Sequence, residues 1–108
     1  MKYMVDIDNT ICYNKNSNYE QSEPDIERIA KLNKLFDEGH EIHYWTARGG
    51  NSGKDWTELT HKQLKDWNVK HTSLTMKKPV YDVWIDDRAI NADDFFGGYK
   101  LRSKHEGI

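Results

Sequence analysis

Lys2-Tyr3-Met4-Val5-Asp6-Ile7-Asp8 is a short apolar run that ends in two acids. Unbroken apolar residues without polar alternation predict a buried strand over residues 2–7, of the kind found in parallel sheets, with both aspartates at its carboxyl end. Val80-Tyr81-Asp82-Val83-Trp84-Ile85-Asp86-Asp87 repeats the pattern far down the chain and predicts another strand over 80–85. Between them, Glu41-Ile42-His43-Tyr44-Trp45 predicts a strand that stops at Thr46, and residues 69–74 predict one more.

Helical signals fill the intervals. Ser22 can cap a helix, Pro24 suits its first turn and Asp25 favours its positive end. Ile26, Ile29, Ala30 and Phe36 follow at helical spacing, with Leu32 or Leu35 at the stripe's edge, and Gly39 is a natural stop. Asp55-x-x-Glu58 resembles a capping box, and Trp56, Leu59, Leu64 and Trp67 share one helical face. Residues 91–96 can form one turn. Residues 9–23 and 47–54 read as loops, and the tail from Lys100 as loose.

Strands alternating with helices predict an α/β fold, a three-layer Rossmann-like parallel sheet with helices on both faces. At 108 residues the chain forms one domain, residues 1–108, burying roughly 65% of its unfolded surface. That supports one core and no separate substrate domain. Charged residues make up 31% of the chain, while four Trp, six Tyr and three Phe predict a small, aromatic-rich core. The net charge of −2 and the scattered Lys and Arg argue against a nucleic-acid surface. No apolar run nears the ~20 residues of a membrane span, the first residues turn acidic too soon for a secretory signal, and the one cysteine, Cys12, precludes an internal disulfide. The expected location is the cytoplasm.

In an open parallel sheet the ligand site lies beyond the carboxyl ends of the strands. Asp6 and Asp8, Thr46, and Asp86 and Asp87 each stand where a predicted strand ends, so three constellations far apart in sequence are expected to meet. Neighbouring carboxylates repel, and burying them calls for a compensating cation or proton. Magnesium suits them because it takes oxygen ligands. Each acid pair alone could equally be strand-end turn chemistry or a solvated surface feature. Thr46 could be an ordinary strand-end hydroxyl, and Lys77 and Lys78 could be surface lysines. Beside a metal, the hydroxyl and one lysine would hold phosphate. Asp6 to Ser17 is not a helix-loop-helix calcium loop, because Ile11 and Ser17 stand where Gly and Glu are required. Gly49-Gly50-Asn51-Ser52-Gly53-Lys54 is not a P-loop, since Arg48 and Asp55 occupy its first Gly and last hydroxyl positions. His40, His43, His61, His71 and His105 form no zinc-like spacing with Cys12.

Asp6-x-Asp8-x-Thr10, then Thr46 after a strand, a loop lysine, and Asp86-Asp87 resembles the four motifs of the haloacid dehalogenase superfamily in their usual order. Trp45-Thr46-Ala47-Arg48-Gly49 and the run from Lys78-Pro79 to Asp86-Asp87-Arg88-Ala89 are similar to small phosphatase-like members, some associated with surface-sugar biosynthesis. The resemblance spans residues 5–96. It implies a cap-less phosphatase in which Asp6 attacks phosphorus and Asp8 protonates the leaving oxygen and then activates water. It implies Mg2+ held by Asp6, Asp8 and Asp86, with Asp87 direct or through water. Thr46, Ala47, Arg48 and Lys78 would bind phosphate, Lys78 being preferred to Lys77 for its place before Pro79. The implied substrate is a phosphorylated sugar or related metabolite, with a nucleotide or nucleic-acid end as the alternative. No segment is long enough for a cap, so the site is expected to be open or covered by a second copy of the chain. A receiver-type signalling domain uses similar residues, but there the lysine follows every acid, whereas here Asp86 and Asp87 follow the lysine.

Overall fold

β1 (Lys2–Asp6) and β4 (Glu41–Trp45) pair in parallel, Tyr3 beside Ile42 and Val5 beside Tyr44. The computed structural model describes residues 1–15 and 18–97, so the expectations for His105 and the tail fall outside the described residues. β5 (Ser73–Thr75) adds to the other side of β4, Leu74 beside Tyr44, giving a three-stranded parallel sheet of order β1-β4-β5. The protein is therefore α/β. Residues 9–23, read as a loop, instead contain an antiparallel hairpin of β2 (Cys12–Asn14) and β3 (Ser22–Pro24). Asn9, at φ 60°, makes the tight turn out of β1 possible, because Asn tolerates the left-handed region. That turn carries Ile11 and Cys12 into the core.

α1 (Ile26–Asp37) starts one turn later than the Ser22 signal suggests. Asp25 is its cap, accepting from Arg28 N at 3.2 Å, and Pro24 lies in β3. Ile26 and Ala30 face outward, and Arg28, Ile29 and Leu32 are the buried residues. The Arg28 guanidinium is tolerated inside because it donates to Asp93 at 2.6 Å and to the Thr10 carbonyl at 3.1 Å, and lies 4.5 Å over the Phe96 ring. It ties α1 to the hairpin turn and to α3 (Ala92–Phe95). α2 (Thr57–Asp66) has no side-chain capping bond at its N-cap, Trp56; Asp55 accepts instead from Thr57 N at 2.9 Å.

The winding explains where the helices lie. β1 passes through α1 to β4, and β4 through α2 to β5, both steps in one direction across the sheet. Right-handed crossovers then put both helices on the same face. Ile29, Leu32 and Leu64 accordingly share one cluster with Ile42 and Tyr44, joined by Phe96 and flanked by Phe95. Met4, on the opposite face, is 53% exposed. The expected helices on both faces would need a strand beyond β1 to reverse the winding. Residues 80–85 do not supply it: they form no strand, and Val83 and Ile85 are 74% and 92% exposed. Tyr81 and Trp84 show why. Their rings meet at 5.0 Å, and residues three apart cannot share a side of an extended strand. Among the described residues no helix is long and apolar enough to cross a membrane.

Candidate functional site

β1 and β4 end side by side, Asp6 beside Trp45 in register, so Asp6 and Asp8 arrive next to Thr46 as the sequence predicts. Asp6 accepts from Ile7 N at 2.9 Å through Oδ1, and Lys78 Nζ stands 3.1 Å from Oδ2. Burial pushes the Asp6 carboxyl above its ordinary value, and the Lys78 charge offsets only part of that. Lys78, not Lys77, is thus the lysine at the site. Its backbone N–H donates to Thr46 O at 3.2 Å, and its ammonium lies 5.4 Å from the Trp45 ring and 5.1 Å from that of Tyr81. Trp84 closes this aromatic group at 5.4 Å from Trp45. The cage leaves the Lys78 side chain only 8% exposed and aims it at Asp6. Tyr81 and Trp84 follow Lys78 by three and six residues, but Trp45 lies on another strand far back in the chain, so nothing in the spacing announces a cage.

Asp8 is held more firmly. Arg48 donates to its Oδ1 from Nη2 at 2.8 Å and to its Oδ2 from Nε at 3.0 Å. Asn14 Nδ2 donates at 3.1 Å from the hairpin, and the Thr46 hydroxyl reaches Oδ2 at 3.5 Å. Arg48 is fully buried at its side chain and spends its other donor on Thr60 at 3.1 Å and Gln63 at 2.6 Å of α2. Burial works against its charge, and the hydrogen bonds and charge of Asp8 more than offset it, leaving Arg48 above its ordinary value. Arg48, expected on phosphate, is therefore committed to Asp8, because a buried guanidinium needs a carboxylate partner. Thr46 is buried and its Oγ1 also accepts from Arg48 N at 3.1 Å. Ala47 lies beside the site as part of a turn, its carbonyl accepting from Gly50 N at 2.9 Å. The roles of Asn14, Thr60 and Gln63 were not legible from sequence, since each depends on the hairpin or on the facing side of α2.

The second acid pair does not join the first. Asp86 accepts from Arg88 N at 2.8 Å, which with its neighbours holds its carboxyl below the ordinary value in full solvent. Asp87 lies 3.8 Å from Arg88 Nε, both side chains almost fully exposed. Among the described residues no three acids, histidines or cysteines stand together as metal ligands would. Asp6 faces Lys78 and Asp8 faces Arg48, so in this arrangement the acids do not fit a magnesium ion. The reason is the missing strand: without pairing beyond β1, residues 80–85 do not deliver Asp86 to the sheet end.

No family model matches the chain, and no curated protein matches it. The chain is similar to the crystal structure of a structural-genomics target from Vibrio cholerae, at a TM-score of 0.79 and 25% identity, covering 96% of this chain and 93% of that one. That likeness supports the α/β fold across nearly its whole length.

Proposed function

We propose that the chain is a phosphatase of the haloacid dehalogenase kind, cleaving a phosphate monoester of a small metabolite through Asp6. The observation that carries this reading is the Lys78 ammonium, caged and 3.1 Å from the Asp6 carboxylate, with Asp8 and Thr46 beside it. A carboxylate and a phosphate repel, and a buried cation on the line between them offsets that repulsion.

In the proposed reaction an Asp6 oxygen attacks phosphorus and the bond to the leaving oxygen breaks. Asp8, a carboxylate while it is paired with Arg48, takes the proton of the entering phosphate monoester and gives it to that oxygen. Water then attacks phosphorus, Asp8 takes the water's proton, and the bond from phosphorus to Asp6 breaks, releasing phosphate and restoring Asp6. Because Arg48 already occupies both Asp8 oxygens, Asp8 must turn toward the substrate to do this. Lys78 leaves Asp6 for the phosphoryl oxygens as substrate enters. Mg2+ belongs to the proposal only on one condition, that Asp86 comes to Asp6; it would then neutralise charge on the phosphate.

Turnover of p-nitrophenyl phosphate, with and without magnesium, tests the reading. Hydrolysis that disappears in Asp6→Asn supports it. Undiminished hydrolysis in that variant removes Asp6 as nucleophile, and stable phosphorylation without turnover makes the chain a phosphoryl acceptor instead.

A further inference from the structure

Gln63 of α2 is only 7% exposed, and both ends of its amide are committed. Its Oε1 accepts from Arg48 Nη1 at 2.6 Å, and its Nε2 donates to the Tyr19 carbonyl at 2.6 Å. These partners fix the orientation of the amide. A guanidinium only donates and a carbonyl only accepts, so the reversed amide would satisfy neither. Tyr19 opens the helical turn Tyr19–Gln21, which lies between β2 and β3. One side chain thus joins α2, the loop after β4 and the hairpin.

Its neighbour Thr60 does half of this. The Thr60 oxygen accepts from the same Arg48 Nη1 at 3.1 Å, but its proton goes back into the start of α2, to Trp56 O at 2.8 Å. Thr60 anchors Arg48 to its own helix, whereas Gln63 carries the anchor on to the hairpin. The hairpin in turn holds Asp8 from the other side. Asn14 Nδ2 donates to Asp8 Oδ1 at 3.1 Å, Ser22 donates to Asn14, and Arg48 Nη2 reaches Ser22 Oγ at 3.4 Å. The contacts form a closed circuit from Asp8 through Arg48 and Gln63 to the hairpin, and through Asn14 back to Asp8. Satisfied buried networks of this kind act as a unit, so losing one link loosens the rest. Asp8 has to part from Arg48 to reach a leaving oxygen. A guanidinium free to follow would keep the carboxylate paired, and the bond to Gln63 holds it back against α2.

The geometry points to Gln63 as a positioning residue for Asp8: it touches no reacting atom, and it fixes Arg48 and the hairpin so that Asp8 parts from them and returns. The role rests on the phosphatase reading for the proton that Asp8 carries; the coupling rests on the hydrogen bonds alone. Gln63→Met in the full chain keeps the length of the side chain and removes both bonds. Its kcat/KM is compared for p-nitrophenyl phosphate and phenyl phosphate, because phenol is the poorer leaving group and depends more on a delivered proton. The ratio of the two constants is expected to shift about tenfold against phenyl phosphate. An equal loss on both esters, or no loss, would make Gln63 a packing residue and overturn the role. Gln63→Glu keeps an acceptor for Arg48 but has no donor for Tyr19, and it serves where the Met change disturbs folding. It is expected to speed amide exchange over residues 18–24 about tenfold. Exchange equal to that of the unaltered chain would overturn the coupling. If the unaltered chain hydrolyses neither ester, the phosphatase reading fails by itself, and the exchange measurement still decides the coupling.

Discussion

Asp6 is pulled in two directions, by burial that favours its neutral form and by Lys78 that favours its charge. Burial prevails, so the folded chain holds the Asp6 proton more tightly than the unfolded chain does. The stability from this group is present at low pH and is lost as pH rises from the ordinary value of 3.8 through the raised folded value. Activity has the opposite dependence, since only the ionised carboxylate attacks. Removing the Lys78 charge in Lys78→Met is expected to move the acid limb of kcat/KM to higher pH, and a pH–rate profile measures it. An unmoved limb would separate Lys78 from Asp6 in function. Arg48 allows a firmer prediction for stability. Arg48→Ala strands Asp8 and leaves the acceptor oxygens of Thr60 and Gln63 without their donor, so unfolding by denaturant is expected to show a loss of about 3 kcal/mol. The Arg48–Asp8 pair was not legible in the sequence, because the stretch around Arg48 resembles a phosphate-binding motif, and only the burial of its side chain sends it to the carboxylate instead.

At the scale of elements, local signals served well where a single face decides the structure. Glu41–Trp45 is a strand with the bounds its apolar alternation predicts, and Asn91 starts a short helix by accepting from Asp93 N at 2.9 Å. They failed where partners far away decide. Cys12 to Pro24 looks too polar for a hairpin, yet Tyr13 donates to Glu23 and Ser22 to Asn14 across it. Residues 80–85 look more like a strand than residues 69–74 do, yet extend along the surface, where Tyr81 turns to Trp84 and Lys78, and Trp84 to Trp45. Two predictions belong here. Among the described residues β1 is an edge of the sheet, and residues 80–85 are an exposed apolar run near its end. If magnesium is part of the site, adding it with inorganic phosphate is expected to slow amide exchange at residues 80–87, measured by mass spectrometry; unchanged exchange would take Asp86 out of the account. In the loop after β4, Gly49→Ala forces a left-handed backbone and a backbone clash, and is expected to lower stability by about 2 kcal/mol in a denaturant titration.

For the whole molecule, winding in one direction leaves the helices on one face and β1 at the edge. In an open sheet of this kind the carboxyl ends of β1 and β4 still form the place where distant residues meet, and four of the expected groups, Asp6, Asp8, Thr46 and Lys78, do meet there. The sequence made the convergence of Asp6, Asp8 and Thr46 legible because each stands at or just past an apolar strand, and strand ends in a parallel sheet share one edge, whereas the loop lysine Lys78 is expected there only through the family resemblance. Asp86 and Asp87 follow the same local rule, but their strand has no place in the observed sheet. The proposed chemistry therefore depends on Asp6 and not on the full set of acids. The direct measurement is mass spectrometry of the Asp8→Asn variant, acid-quenched after exposure to a phosphate ester, since that change stalls hydrolysis of a covalent intermediate. The account predicts one phosphoryl group on the peptide bearing Asp6, absent when Asp6→Asn is added. A phosphoryl group on any other residue, or none while the unaltered chain turns the ester over, would contradict it.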